Sequence, residues 1–186
     1  MLAAVYIYDG FVQFEVVLSS YFLRAKGEVV VVSSDGEPHR SAEGFLTMPD
    51  VRLADLALDT VDALILPGGW EKDIIDQEGL HAALRSLDAS GKIIAAICGG
   101  PLQLARAGLL KGRRYTSSVA DEHSAAFAGA DFIDENVVVD GNIVTAQPHG
   151  FVDMALQLGR MLDIFEDERD YLETVQAFRE QRRPTV

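Results

Sequence analysis

The sequence predicts an α/β protein with a doubly wound, mostly parallel sheet, and three observations carry that expectation. Short apolar runs without alternation recur at residues 2–8, 61–66 and 93–97, the pattern of strands buried on both faces. Stretches with apolar residues at helical spacing come between them, so that strand and helix alternate along the chain. The junctions after these runs hold turn-forming residues: Asp9-Gly10, Pro67-Gly68-Gly69 and Cys98-Gly99-Gly100.

Residues 2–8 form the first expected strand, followed by a helix whose face is marked by Phe14, Val17, Leu18, Tyr21, Phe22 and Ala25 and which closes near Gly27. The valine-rich residues 28–33 are the second strand, stopped by Asp35-Gly36. Residues 38–50 are polar and broken by Gly44 and Pro49, with room for a small hairpin, and residues 52–58 fit a short helix. The third strand, 61–66, leads through Pro67-Gly68-Gly69-Trp70 to a helix over 77–87. The fourth, 93–97, leads through Cys98 to a helix beginning at Pro101, whose missing N–H has no partner to lose in a first turn. Residues 114–117 read as a short strand and 121–127 as a short helix. Asp140-Gly141 joins strands 137–139 and 143–146 as a hairpin, and amphipathic helices follow at 151–162 and 166–182. The result is a flavodoxin-like α/β/α sandwich, one domain over 1–186 with 166–182 as an extra C-terminal helix.

Composition narrows the function. The chain has 186 residues, enough for a continuous core without disulfides, and one cysteine, which excludes an internal disulfide framework and any clustered Cys/His metal pattern. No metal or cofactor is expected, and cysteine usage points to the cytosol. No apolar run approaches the ~18 residues of a membrane span. Lys and Arg number 16 against 29 Asp and Glu, a formal charge of −13 that argues against nucleic acid or anionic membranes as partners. Small molecules and other proteins remain. The basic run 179–183 reads as a solvated helix terminus.

The chemistry centres on Cys98. A tight strand-to-helix turn needs small neighbours, which Ala96, Gly99 and Gly100 provide, and it pushes the reactive atom out at the carboxyl end of the sheet as a nucleophile elbow. The helix N-terminus adds unpaired N–H groups and partial positive charge, so the position predicts a low-pKa thiol. The same spacing also fits a small buried residue in a turn. Glu15, in the first turn of the first helix, lies among apolar positions, where a carboxyl group has a raised pKa and can act as acid and base; a dipole contact at a helix N-terminus is the alternative. Gly68 and Gly69 allow backbone N–H groups to approach a ligand, or simply make a turn. Of the four histidines, His39 and His81 are expected at the surface, while His149, between a strand and a helix, and His123, downstream of residue 114, are the candidate bases for Cys98. Both also fit exposed positions.

Glu15 after the first strand, Pro67-Gly68-Gly69 after the third, and Ala96-Ile97-Cys98-Gly99-Gly100-Pro101 at the elbow together resemble the ThiJ/PfpI superfamily, of the class I glutamine amidotransferase-like group. The segment Gly108-Leu109-Leu110-Lys111-Gly112-Arg113-Arg114-Tyr115-Thr116-Ser117 is similar too, and the resemblance covers nearly the whole chain. It implies that Cys98 is the reactive thiol, that Glu15 is its protonated hydrogen-bond partner, that Gly68, Gly69 and Gly99 present backbone N–H groups to an oxyanion, and that the protein is a homodimer or larger. Three departures limit what transfers. Members resembling the PfpI proteases carry histidine directly after the cysteine, where this chain has Gly99. Members resembling the Parkinson-associated protein carry one in the following strand, where this chain has Ser118. Glutamine amidotransferases need a late His-x-Glu pair, but Gly150 and Phe151 follow His149.

The reading with most support is a cysteine enzyme acting on a small electrophilic carbonyl or amide. A stress protein that senses oxidants through Cys98 without turnover is the alternative. An FMN or phospho-acceptor domain fits less well, because Tyr8-Asp9-Gly10-Phe11 lacks a phosphate cradle.

Overall fold

The computed structural model describes residues 1–70 and 77–185, so the single domain read over 1–186 includes a few positions outside the described residues. The chain runs β1 (Leu2–Tyr6), α1 (Phe14–Leu23), β2 (Glu28–Ser33), β3 (His39–Arg40), β4 (Leu46–Thr47), β5 (Val51–Arg52), β6 (Ala63–Leu66), α2 (Gln77–Ala89), β7 (Ile93–Ile97), α3 (Pro101–Arg106), β8 (Arg114–Tyr115), β9 (Asp131–Phe132), β10 (Val137–Asp140), β11 (Ile143–Ala146), α4 (Phe151–Met161) and α5 (Glu168–Thr174). Seven strands form one sheet in the order β10-β11-β7-β6-β1-β2-β5, parallel except for the edge strand β10. The α/β, flavodoxin-like expectation holds.

Strand order reverses at β1. The chain moves outward from β1 to β2 and β5, then returns to β6 on β1's other side and continues to β7 and β11. Ligands of open α/β sheets bind in the crevice beyond the carboxyl ends of the strands at such a reversal. Here β1, β6 and β7 end side by side. Register makes the neighbours specific: Leu66 pairs with Ala96, so the chains leaving β6 and β7 bring Gly68 beside Cys98 two residues later. The central strands are apolar throughout because both faces are covered; Leu64, Ile65, Ile94 and Ile97 are fully buried. On the helical layers, α1 packs on α4 and α2 on α3.

The first helix corrects its expected face. Glu15, Val16, Ser19, Phe22 and Leu23 are buried, while Phe14, Val17 and Tyr21 are 49%, 49% and 66% exposed. α1 is apolar on two sides, and size alone does not say which side meets the sheet. The polar Glu15 and Ser19 belong to the inner one.

Other differences are local. Residues 52–58 form two single 3-10 turns, Leu53–Asp55 and Leu58–Thr60, instead of a helix. Residues 121–127 are a series of turns, because Phe127, stacked on Tyr115 at 4.6 Å, is the only residue of the segment that is fully buried, and one anchor does not offset the cost of helix nucleation. The last helix is shorter than residues 166–182: Asp167 caps α5, and a wider π turn over Val175–Arg179 ends it. Arg179 of the basic run pairs with Asp153 at 2.9 Å and so is more than a solvated terminus. His39 and His81, expected at the surface, are 4% and 8% exposed. Partners make their burial tolerable: His39 lies 3.0 Å from Asp35 and 3.5 Å from Asp9, and His81 lies 2.8 Å from Gln103.

Candidate functional site

Cys98 stands between β7 and α3 with φ at +61°, one of three non-glycine residues in the left-handed region among those described. That conformation costs an L-residue about 1–3 kcal/mol, so the surroundings must hold it. They do so from two sides. The Cys98 N–H donates to the Ala146 carbonyl at 2.8 Å, and the Cys98 carbonyl accepts from the Ser117 hydroxyl at 2.7 Å and the Ser118 N–H at 3.2 Å. The side chain is half-buried.

Three elements converge on it. Glu15, 1% exposed, comes from the first turn of α1 and lies beside the Cys98 thiol, close enough for each group to act on the other's proton. Gly68, from the loop after β6, donates its N–H to Glu15 Oε2 at 2.7 Å. A side chain at Gly68 has no room, since its Cβ would fall 2.6 Å from Cys98 Cβ, 2.8 Å from Sγ and 2.9 Å from Glu15 Oε2. Ser118 approaches from the far side, its hydroxyl donating to Cys98 Sγ at 3.4 Å.

Electrostatics set the proton inventory. Burial raises the Glu15 pKa, against the lowering effect of the Gly68 N–H and the Cys98 thiol, and the charge of Glu43 adds to the rise. Burial also pushes the Cys98 thiol up, to about 11, with the Glu15 charge next in importance; Ser118 and the Gly99 N–H act in the opposite sense. The expected low-pKa thiol is therefore corrected: next to an ionised Glu15, burial and repulsion outweigh the N-terminus of the six-residue α3. Protonating Glu15 removes that repulsion and turns its carboxyl into a donor. The charge of Glu15 thus bears on the proton of Cys98.

The glycines separate in the same way. The Gly68 N–H is already committed to Glu15, which corrects its assignment as an oxyanion donor. Gly69, at φ +134°, packs on Gly10 and Phe11, fixing the loop after β1 against the loop after β6. A Cβ at Gly99 would meet the Gly69 carbonyl oxygen at 3.8 Å, an ordinary contact, and the Gly99 N–H acts on the Cys98 thiol.

The histidines do not join. His149 is exposed and lies 3.1 Å from Asn136 Oδ1 through its Nε2. His123 is half-buried in the turns after Ser118, its N–H donating to the Val119 carbonyl at 3.1 Å. Ser118 was visible in the sequence only as the place where a histidine is missing. Among the described residues, no group of three or more His, Cys, Asp or Glu is arranged to hold a metal ion, and no helix is long and apolar enough to cross a membrane.

A flavodoxin-like sheet with a left-handed cysteine at the strand reversal and a buried glutamate against its sulfur defines a narrow class of proteins. The chain belongs to the DJ-1/PfpI family, whose family model matches residues 1–160. It is 36% identical over 144 residues to a protein of Thermococcus kodakarensis named as a deglycase, covering 76% of this chain and 87% of that one. It is 31% identical over 152 residues to the protein dj-1beta of Drosophila melanogaster, covering 80% and 81%. Among solved structures, a DJ-1 superfamily protein of Agrobacterium tumefaciens superposes with a TM-score of 0.86 at 27% identity, covering 98% of this chain and all of that one.

Proposed function

We propose that this protein is a deglycase- or glyoxalase-type enzyme that adds the Cys98 sulfur to a small electrophilic carbonyl. The observation that carries the reading is the buried Glu15 carboxyl set beside Cys98, with Gly68 wedged between them, near the strand reversal. The deglycase name of the Thermococcus relative supports it.

The pair works with one shared proton. When Sγ bonds to an aldehyde carbon, the C=O π electrons move to oxygen and the proton held between Cys98 and Glu15 passes to that oxygen, giving a hemithioacetal and a Glu15 carboxylate. The carboxylate is then the base that removes the carbon-bound proton of a 2-oxoaldehyde adduct. Returning that proton to the neighbouring carbon, while the hemithioacetal hydroxyl proton passes to the adjacent oxygen, yields a thioester, which water hydrolyses to a hydroxy acid and free Cys98. The Gly99 N–H and the Ser118 hydroxyl, both aimed at the sulfur, stabilise the thiolate as it forms. No histidine is required.

We further propose a homodimer. Phe14, Val17 and Tyr21 on α1 and Phe45, Leu46 and Met48 around β4 are 49–66% exposed, and an apolar groove of about 850 Å³ runs between α1, Phe45 and Phe151. A second copy would remove that surface from water. Light scattering of Tyr21→Glu tests it: a monomeric variant is expected, and an unchanged mass places the contact elsewhere.

The activity is tested by methylglyoxal consumption with wild type and Cys98→Ala. Turnover in the former and none in the latter is the expected result. Stoichiometric oxidation of Cys98 by peroxide, with no turnover of methylglyoxal or of a glycated amine in the wild type, would replace this reading with the sensing one.

A further inference from the structure

α1 begins without a cap of its own. Its N-cap residue, Gln13, makes no side-chain capping bond, although the first N–H groups of a helix need acceptors. The acceptor comes from thirty residues away. Glu43, in the β3–β4 turn, receives the Gln13 N–H on Oε2 at 3.1 Å and the Phe14 N–H on Oε1 at 3.0 Å. We propose that Glu43 is a positioning residue for the Glu15–Cys98 pair: it closes the start of α1 from outside and lays a fixed negative charge beside Glu15.

The hairpin is built to hold that carboxylate in place. The Gly10 N–H donates to the Arg40 carbonyl and the Ala42 N–H to the Phe11 carbonyl, both at 2.8 Å, so the turn is bound to the loop between β1 and α1. Ser41 hydrogen-bonds Glu43, and the buried His39 ties the base of the hairpin to Asp35 and Asp9. Hydrogen bonds from Phe14, Gln13 and Ser41 keep Glu43 ionised, outweighing the burial that opposes it.

The consequence for Glu15 follows from helix electrostatics. A bare N-terminus carries partial positive charge, which favours the carboxylate form of a first-turn glutamate. Glu43 neutralises that charge and repels a second anion. The groups acting on Glu15 are the Gly68 N–H, the Cys98 thiol and Glu43, and of the three only Glu43 acts with burial to keep the proton on. On the proposed carbonyl chemistry, Glu43 thus adds to burial, the larger cause, in raising the pH at which Glu15 gives its proton up. It acts through the start of α1, where its carboxylate holds the Gln13 and Phe14 N–H groups.

The test is a carbon-NMR titration of the Glu15 carboxyl in wild type, Glu43→Gln and Glu43→Asp, with methylglyoxal turnover against pH on the same samples. Glu43→Gln keeps an acceptor and loses the charge, so Glu15 is expected to titrate at lower pH than in wild type, with the pH profile of turnover moving the same way. Glu43→Asp restores the wild-type values. Added salt lowers the Glu15 midpoint in wild type and leaves Glu43→Gln unmoved. A Glu15 midpoint unchanged in Glu43→Gln overturns the proposal; should that variant not fold, a wild-type midpoint indifferent to salt does the same. A shifted midpoint in a protein without turnover upholds the positioning role and removes the carbonyl reading instead.

Discussion

Two polar clusters stand at the carboxyl edge of this sheet, and on the proposed function one of them is the reaction centre. At the ends of β1, β6 and β7, Glu15, Gly68 and Cys98 are drawn together by three separate elements, with the carboxyl buried and set beside the thiol. Beyond β11, His149 and Asp153 both hydrogen-bond Asn136, and Arg179 pairs with Asp153, in a chain whose histidine is exposed. Sequence places both at a strand end followed by a helix. What separates them is the reversal of strand order at β1, which sets the ends of β1, β6 and β7 side by side, whereas the second cluster lines a cavity of about 250 Å³ against β10 and α4. Position along an edge nominates a residue. Strand order decides it.

Substitutions can break that comparison. Cys98→Ala is expected to abolish both iodoacetamide labelling and methylglyoxal turnover, as measured by mass spectrometry and substrate consumption. Glu15→Gln removes the proton carrier while keeping a hydrogen-bonding side chain, and should cut kcat on the order of a hundred- to ten-thousand-fold. Gly68→Ala drives a methyl group against Cys98 and Glu15, with a loss of about 1–3 kcal/mol in chemical denaturation and a fall in turnover to match. Ser118→Ala deletes one donor to the thiolate, a deficit of about 1 kcal/mol or roughly fivefold in rate. His149→Ala should leave thiol labelling and turnover unchanged; a large loss would restore the second cluster to the mechanism.

Stability offers a gentler probe of the same pair. Glu15 has a pKa raised in the folded protein by burial, so the folded state holds that proton more tightly than the unfolded chain does. Its favourable contribution is complete below the unfolded carboxylate pKa and is lost as pH rises through the folded value. Glu15→Gln should flatten this part of the stability-pH curve, gaining on wild type at the alkaline end.

The sequence resolved the parts of this site that depend on local pattern. Residues 93–97 with Cys98, Gly99 and Pro101 define a strand, a turn and a helix start within nine positions, and all three appear in place. Glu15 was legible as a polar residue among apolar ones at a helix start. The cap that Glu43 provides was not, because nothing in residues 38–50 shows which helix the turn will meet. Nor was the buried face of α1, since Phe14, Val17 and Tyr21 spell a helical stripe as well as the inner residues do. His39 and His81 misled for a related reason: their burial rests on Asp35, Asp9 and Gln103, partners fixed by the fold more than by neighbouring sequence.

The central claim is that Cys98 and Glu15 titrate as one unit, and the pH dependence of Cys98 alkylation tests it most directly. In wild type the rate should rise in two steps, the first as the pair loses one proton and the second near the value of about 11 that belongs to a thiol beside an ionised carboxylate. Glu15→Gln should show a single step, at lower pH than the second wild-type one because the repelling charge is gone. Identical single-step profiles in the two proteins would mean that the carboxyl and the thiol share no proton, and would contradict the account.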